Sequence, residues 1–73
     1  MTGLPAMRSD EVIVVLQRAG YTIDHQTGSH VILYKKGRPP VTVPRHNRDL
    51  KKGTLHYIIR SAGLSVDEFL KLK

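Results

Sequence analysis

Thr27-Gly28-Ser29-His30-Val31-Ile32-Leu33-Tyr34 is the stretch that decides the fold. Thr27-Gly28 closes a tight connection, because glycine tolerates the positive φ that hairpin turns need. The alternating apolar run behind it predicts a strand from Ser29 to Lys35. Alternation puts His30, Ile32 and Tyr34 on one face and Ser29, Val31 and Leu33 on the other. An imidazole is thereby held at the mouth of a turn on a stiff β-branched strand. That is how a reactive group is displayed, and a packed histidine would show the same pattern.

Working outward, Tyr21 to Gln26 also alternates, with Tyr21 and Ile23 pointing one way and Thr22, Asp24 and Gln26 the other. It predicts a first strand that pairs with the second as a hairpin. Lys36-Gly37-Arg38-Pro39-Pro40 is a turn rich in breakers, and Val41-Thr42-Val43 is a short third strand ended by Pro44. Short loops make the three strands sequential neighbours in an antiparallel meander.

Helical patterns flank the meander. Ser9 as N-cap, Asp10 and Glu11 in the first turn and an apolar stripe of Val12, Leu16 and Ala19 predict a helix from Asp10 to Ala19, stopped by Gly20. Beyond the polar loop Arg45 to Asp49, Leu50, Leu55, Ile58, Ile59 and Ala62 recur at helical spacing, with Gly63 as the stop. Ser65-Val66-Asp67-Glu68 is a capping box opening a short last helix, where Phe69 and Leu70 close the core. Residues 1–7, with Gly3 and Pro5 and no periodicity, are expected to form a flexible tail, and residues 8–73 a single domain. The fold class is therefore α+β: a two-layer sandwich, with Val31, Leu33, Val41 and Val43 the preferred face under the helices and His30, Ile32 and Tyr34 on the open face, the opposite assignment also being compatible with the pattern. Ile32 and Tyr34 make that face sticky, which favours a partner.

Composition narrows the function. A chain of 73 residues buries only about 60% of its unfolded surface. With no cysteine, neither a disulfide nor a thiolate zinc site can staple it. No apolar run reaches the length of a membrane span and no export signal is visible, so a soluble cytoplasmic protein is expected. Twelve Lys and Arg against six Asp and Glu leave a formal charge of +6, which favours polyanions, nucleic acid first among them. Between Lys35 and Lys52 lie Lys35, Lys36, Arg38, Arg45, Arg48, Lys51 and Lys52, opposed there only by Asp49. Such a run is either a solvated face or a phosphate-binding segment, and its position beside His30 favours phosphate. Exposed N–H groups near Gly53 and Thr54, next to Lys51 and Lys52, would suit an anion, although a plain helix start has the same residues.

Helix, three-stranded meander and helix is the order of the double-stranded RNA-binding fold, and Leu16 to Phe69 resembles the HicA (YcfA-like) family of type II toxin-antitoxin toxins. The residues that carry the resemblance are Leu16 with Ala19-Gly20-Tyr21, Gly28-Ser29-His30, Val43-Pro44-Arg45-His46, Leu50-Lys51-Lys52-Gly53-Thr54-Leu55, Ile58-Ile59 and Ala62-Gly63-Leu64. The resemblance implies an mRNA interferase that cuts RNA and blocks translation, neutralised by a HicB-like antitoxin. The family's catalytic histidine carries over onto His30.

Proton transfer at neutral pH suits an imidazole, so His30 is the expected general acid/base. Lys35, Lys36, Arg45, Lys51 and Lys52 are the expected RNA-binding residues. Ser29, Tyr34 and His46 are accessory candidates: Tyr34 either stacks a base or packs on the antitoxin, and His46 either moves a proton or orders its loop, the latter being favoured. His25 and His56 are expected at the surface without a role. No metal site and no cofactor are expected, since the four histidines have no ligand spacing. Two other readings fit the same residues: a non-catalytic RNA-binding module, and a protein-interaction domain whose open face serves only a partner.

Overall fold

The computed structural model describes residues 3–73. Its elements are α1 (Ser9–Arg18), β1 (Thr22–Thr27), β2 (His30–Tyr34), β3 (Val41–Pro44), α2 (Lys52–Ser61) and α3 (Val66–Lys71). The three strands form one antiparallel sheet in sequence order. The helices cover one face of it, giving the expected two-layer α+β sandwich.

Alternation is the reason for the layer choice. Val31, Leu33, Val41 and Val43 are buried beneath the helices, while His30, Ile32 and Tyr34 are exposed or half-buried on the other side. From α1 and α2, Val12, Leu16, Leu55, Ile58 and Ile59 complete the core, and Phe69 of α3 is fully buried with them. Each such side chain contributes roughly 1.5–3 kcal/mol by leaving water. Ser65 caps α3 as its sequence predicts: its hydroxyl accepts from the Glu68 N–H, and its own N–H donates to the Glu68 carboxylate at 2.9 Å. Leu70 is only half-buried.

Several expectations are corrected by tertiary contacts. The tail reading for residues 1–7 fails at its end: Met7 is fully buried, its carbonyl accepts from the Leu50 N–H at 2.8 Å, and Leu4 packs on the core. For residues 1–2 that reading lies outside the described residues. Arg8, not Ser9, is the N-cap of α1: its backbone is extended and its N–H donates to the Glu11 carboxylate at 3.1 Å, while Ser9 is buried in the first turn. Leu50, placed by its spacing in the second helical pattern, precedes α2 and is held by the bond to Met7. The tight turn is Gly28-Ser29, with Thr27 and His30 facing each other across it. Of its two residues only Gly28 has a positive φ, 57°, the pattern of a type II′ connection.

The first strand departs most. Its register shifts between Ile23 and His25, so Asp24 is an extra residue without a partner, a β-bulge. Ile23 faces Leu33, His25 faces Ile32 and Thr27 faces His30. Directly opposed residues share a face, so His25 joins Ile32 and His30 on the open side. Simple alternation from Tyr21 puts it on the other one.

Candidate active site

His30 is the first residue of β2, and the chain grips it from three directions. Thr27 pairs with it across the hairpin and Pro44 pairs with it from β3. The turn beside it is braced by the Gln26 side chain, which donates to the Gly28 carbonyl at 3.1 Å, and by the Arg45 N–H, which donates to the Ser29 carbonyl. Its backbone is thus fixed while its side chain is exposed. Among the described residues, none hydrogen-bonds the imidazole, so both ring nitrogens are open to a ligand.

Pro44 leads from this rung into a cleft of about 490 Å³, lined by Pro44, His46, Arg48, Asp49, Leu50, Lys51 and Thr54. Lys51 is the N-cap of α2, Lys52 its first residue, and the first turn holds no acidic side chain. The start of α2 therefore enters the cleft wall through Lys51 and Thr54, with Lys52 adjacent in the chain, and Pro44 connects that wall to the rung of His30. Within this loop the His46 Nδ1 accepts from the Arg48 N–H at 3.4 Å. Arg48 itself, part of the basic run but not singled out from the sequence, lines the cleft.

The remaining expected residues divide. Ser29 sits in the turn, where its carbonyl accepts from the Arg45 N–H. Arg45 lies beside His30's rung, and its guanidinium pairs with Asp10 at 3.0 Å, an exposed contact that a phosphate could replace. Tyr34 shares the open face with His30 at the other end of β2 and is half exposed. Lys35 and Lys36 are not brought to His30: they follow the far end of β2, roughly 16 Å away at about 3.3 Å per residue. Lys35 is half-buried there, its Nζ donating to the Ala19 carbonyl at 2.8 Å and lying 5.8 Å from the centre of the Tyr21 ring. It ends α1, the role basic groups take at helix C-termini. Lys36 is exposed.

His25 has a partner that its sequence position does not announce. Its Nδ1 lies 2.7 Å from the Asp24 carboxylate, and both side chains are more than half exposed. Asp24-His25 next to a Thr27-Gly28 turn is visible in the chain, but the face it occupies depends on the bulge. Among the described residues there is no group of three or more His, Asp or Glu able to hold a metal ion. No helix there is long and apolar enough to cross a membrane.

Comparison with known proteins bears on the family and the fold. The model of a family described as the HicA toxin of bacterial toxin-antitoxin matches residues 9–64. A chain of a solved structure, the "Toxin-Antitoxin complex from Streptococcus pneumoniae", is 30% identical with a TM-score of 0.72, over 80% of this chain and 98% of that one. No curated protein matches.

Proposed function

The chain belongs to the HicA toxin family of bacterial toxin-antitoxin systems, and from that premise we propose that it is a metal-independent endoribonuclease. It cuts mRNA in the cytoplasm, inhibits translation and is neutralised by a HicB-like antitoxin. The observation that carries this reading is His30: rigid in backbone, exposed in side chain, unengaged at both ring nitrogens and next to a basic cleft.

RNA brings its own nucleophile, the 2′-hydroxyl beside each phosphate. Cutting therefore needs proton transfer, phosphate positioning and charge stabilisation, and no metal is required for these. His30 transfers the proton. Lys51 and Lys52 at the start of α2, with Arg48 and Arg45, hold the phosphates and offset the charge that develops on the scissile one. Lys36 meets the strand away from the scissile phosphate. Tyr34 and Ile32 supply the apolar part of the open face, which an RNA base or the antitoxin covers. The Streptococcus pneumoniae complex supports an antitoxin partner for this chain.

The test is incubation of wild-type and His30→Ala protein with mixed-sequence single-stranded RNA in excess EDTA, resolved on a denaturing gel, with circular dichroism to show that both are folded. Wild type cuts, and the variant cuts about 10² to 10⁴-fold more slowly. Cutting retained in His30→Ala rejects the role of His30. Salt-sensitive binding without product by both proteins favours the non-catalytic RNA-binding module instead.

A further inference from the structure

Cleavage of RNA by its own 2′-hydroxyl moves two protons: one leaves the 2′-oxygen and one arrives at the departing 5′-oxygen. One imidazole cannot stand at both ends of an in-line displacement, so a site built on His30 has a vacancy for a second proton carrier. Resting on the ribonuclease reading above, we propose that His25 is that carrier, a second catalytic residue of the same site, acting as the general acid and positioned by Asp24.

Three observations carry this. The first is register. His25 faces Ile32 while Thr27 faces His30, so the two histidines are diagonal neighbours on the open face of one hairpin. Such neighbours lie roughly 7–8 Å apart at their backbones, within reach of aromatic side chains. Their rings can therefore flank a phosphodiester laid across β1 and β2. The second is the bulge: in a regular strand that paired Asp24 with Ile32, His25 would fall on the face that carries Ile23. Bulges are the device by which a strand re-aims a side chain. The third is the 2.7 Å contact between His25 Nδ1 and the Asp24 carboxylate. A carboxylate on Nδ1 holds the ring by that nitrogen and leaves Nε2 outward, the arrangement in which an imidazolium presents its other proton. An exposed pair of this kind adds little to stability, so folding does not account for it.

The step balances as follows. His30, neutral, takes the 2′-hydroxyl proton as the 2′-oxygen attacks phosphorus. The new 2′-O–P bond forms as the P–O5′ bond breaks, and the electron pair of that bond stays on O5′. His25, protonated, gives its Nε2 proton to O5′. The products are a 2′,3′-cyclic phosphate and a free 5′-hydroxyl. The two imidazoles finish with their protonation states exchanged, and water restores them.

A substrate that no longer needs an acid separates the two histidines. The cleavage point is mapped on an oligoribonucleotide with wild-type protein, and the bridging O5′ there is replaced by sulfur, whose thiolate leaves without a proton. His25→Ala is expected to cut the all-oxygen RNA about 10² to 10⁴-fold more slowly than wild type. On the sulfur substrate it should return to within about tenfold of the wild-type rate, whereas His30→Ala should not be rescued. Asp24→Asn, which keeps the histidine, should show a smaller loss and the same rescue. His25→Ala cutting all-oxygen RNA at the wild-type rate overturns the proposal, and so does a loss that sulfur leaves unchanged in both the His25 and the Asp24 variants. A wild-type chain that cuts neither substrate rejects the ribonuclease reading itself.

Discussion

Lys35 donates its Nζ proton to the carbonyl of Ala19 at 2.8 Å, tying the end of β2 to the end of α1. A charged donor on a backbone carbonyl contributes about 1.5–3 kcal/mol where it is screened from water, and less at this half-buried position. Lys35→Met should therefore lower the melting temperature by several degrees while cutting per folded molecule stays at the wild-type level. A variant that keeps its melting temperature but loses cutting would return Lys35 to the RNA-binding set.

Lys51 and Lys52 should behave in the opposite way. Both are exposed at the start of α2 and neither takes part in an ion pair among the described residues. Each phosphate contact on a single strand contributes about 0.7 to the slope of log affinity against log salt. Replacing both lysines by alanine should flatten that slope by about 1.4, with thermal stability unchanged. Fluorescence anisotropy on a short RNA across a salt series reads it, and an unchanged slope removes the two lysines from the interface.

Met7 tests the start of the chain. It is fully buried and its carbonyl anchors Leu50 just before α2. Met7→Ala should cost about 2–5 kcal/mol. In a domain of this size each kcal/mol is worth about 4–8 °C of melting temperature, so the loss is plain in a thermal scan. Removal of residues 1–7 should do at least as much, and a truncated chain that melts with wild type would show this segment to be dispensable.

Glu68 gives the fold a pH dependence of known sign. Hydrogen bonds from the Ser65 backbone N–H first, then from the Ser65 hydroxyl, with a smaller contribution from the charge of Lys71, hold its carboxyl below the usual 4.5. A depressed carboxyl stabilises the folded state above the unfolded value, and that stabilisation fades as pH falls through the lowered folded value. The melting-temperature advantage of wild type over Glu68→Gln should therefore shrink on acidification. An advantage independent of pH would mean that the carboxylate is not engaged.

Much of the architecture is legible in local pattern. Val31, Leu33, Val41 and Val43 sort to the covered face because strands alternate, and Ser65 with Glu68 caps α3 because a hydroxyl and a carboxylate three residues apart satisfy each other's N–H groups. His30 at the turn mouth follows from the glycine before it. The ends of the helical patterns are less legible. Leu50 has the right spacing for α2 yet belongs to the segment before it, since a backbone bond to Met7 holds it there. Lys35 and Lys51 look alike in the basic run, and only the course of β2 separates one that ends α1 from one beside the cleft.

What the sequence by itself determines is the order of the elements, the covered face of β2 and β3, the excess of positive charge and the display of His30. Each rests on neighbours within a few residues, where periodicity and turn chemistry act. What only the tertiary structure decides is the company His30 keeps. Pairing of β1 with β2 leaves Asp24 without a partner, and that single extra residue reverses the direction of His25. A bulge is settled by which cross-strand register satisfies the most hydrogen bonds and buries Leu33, and that balance is struck between strands.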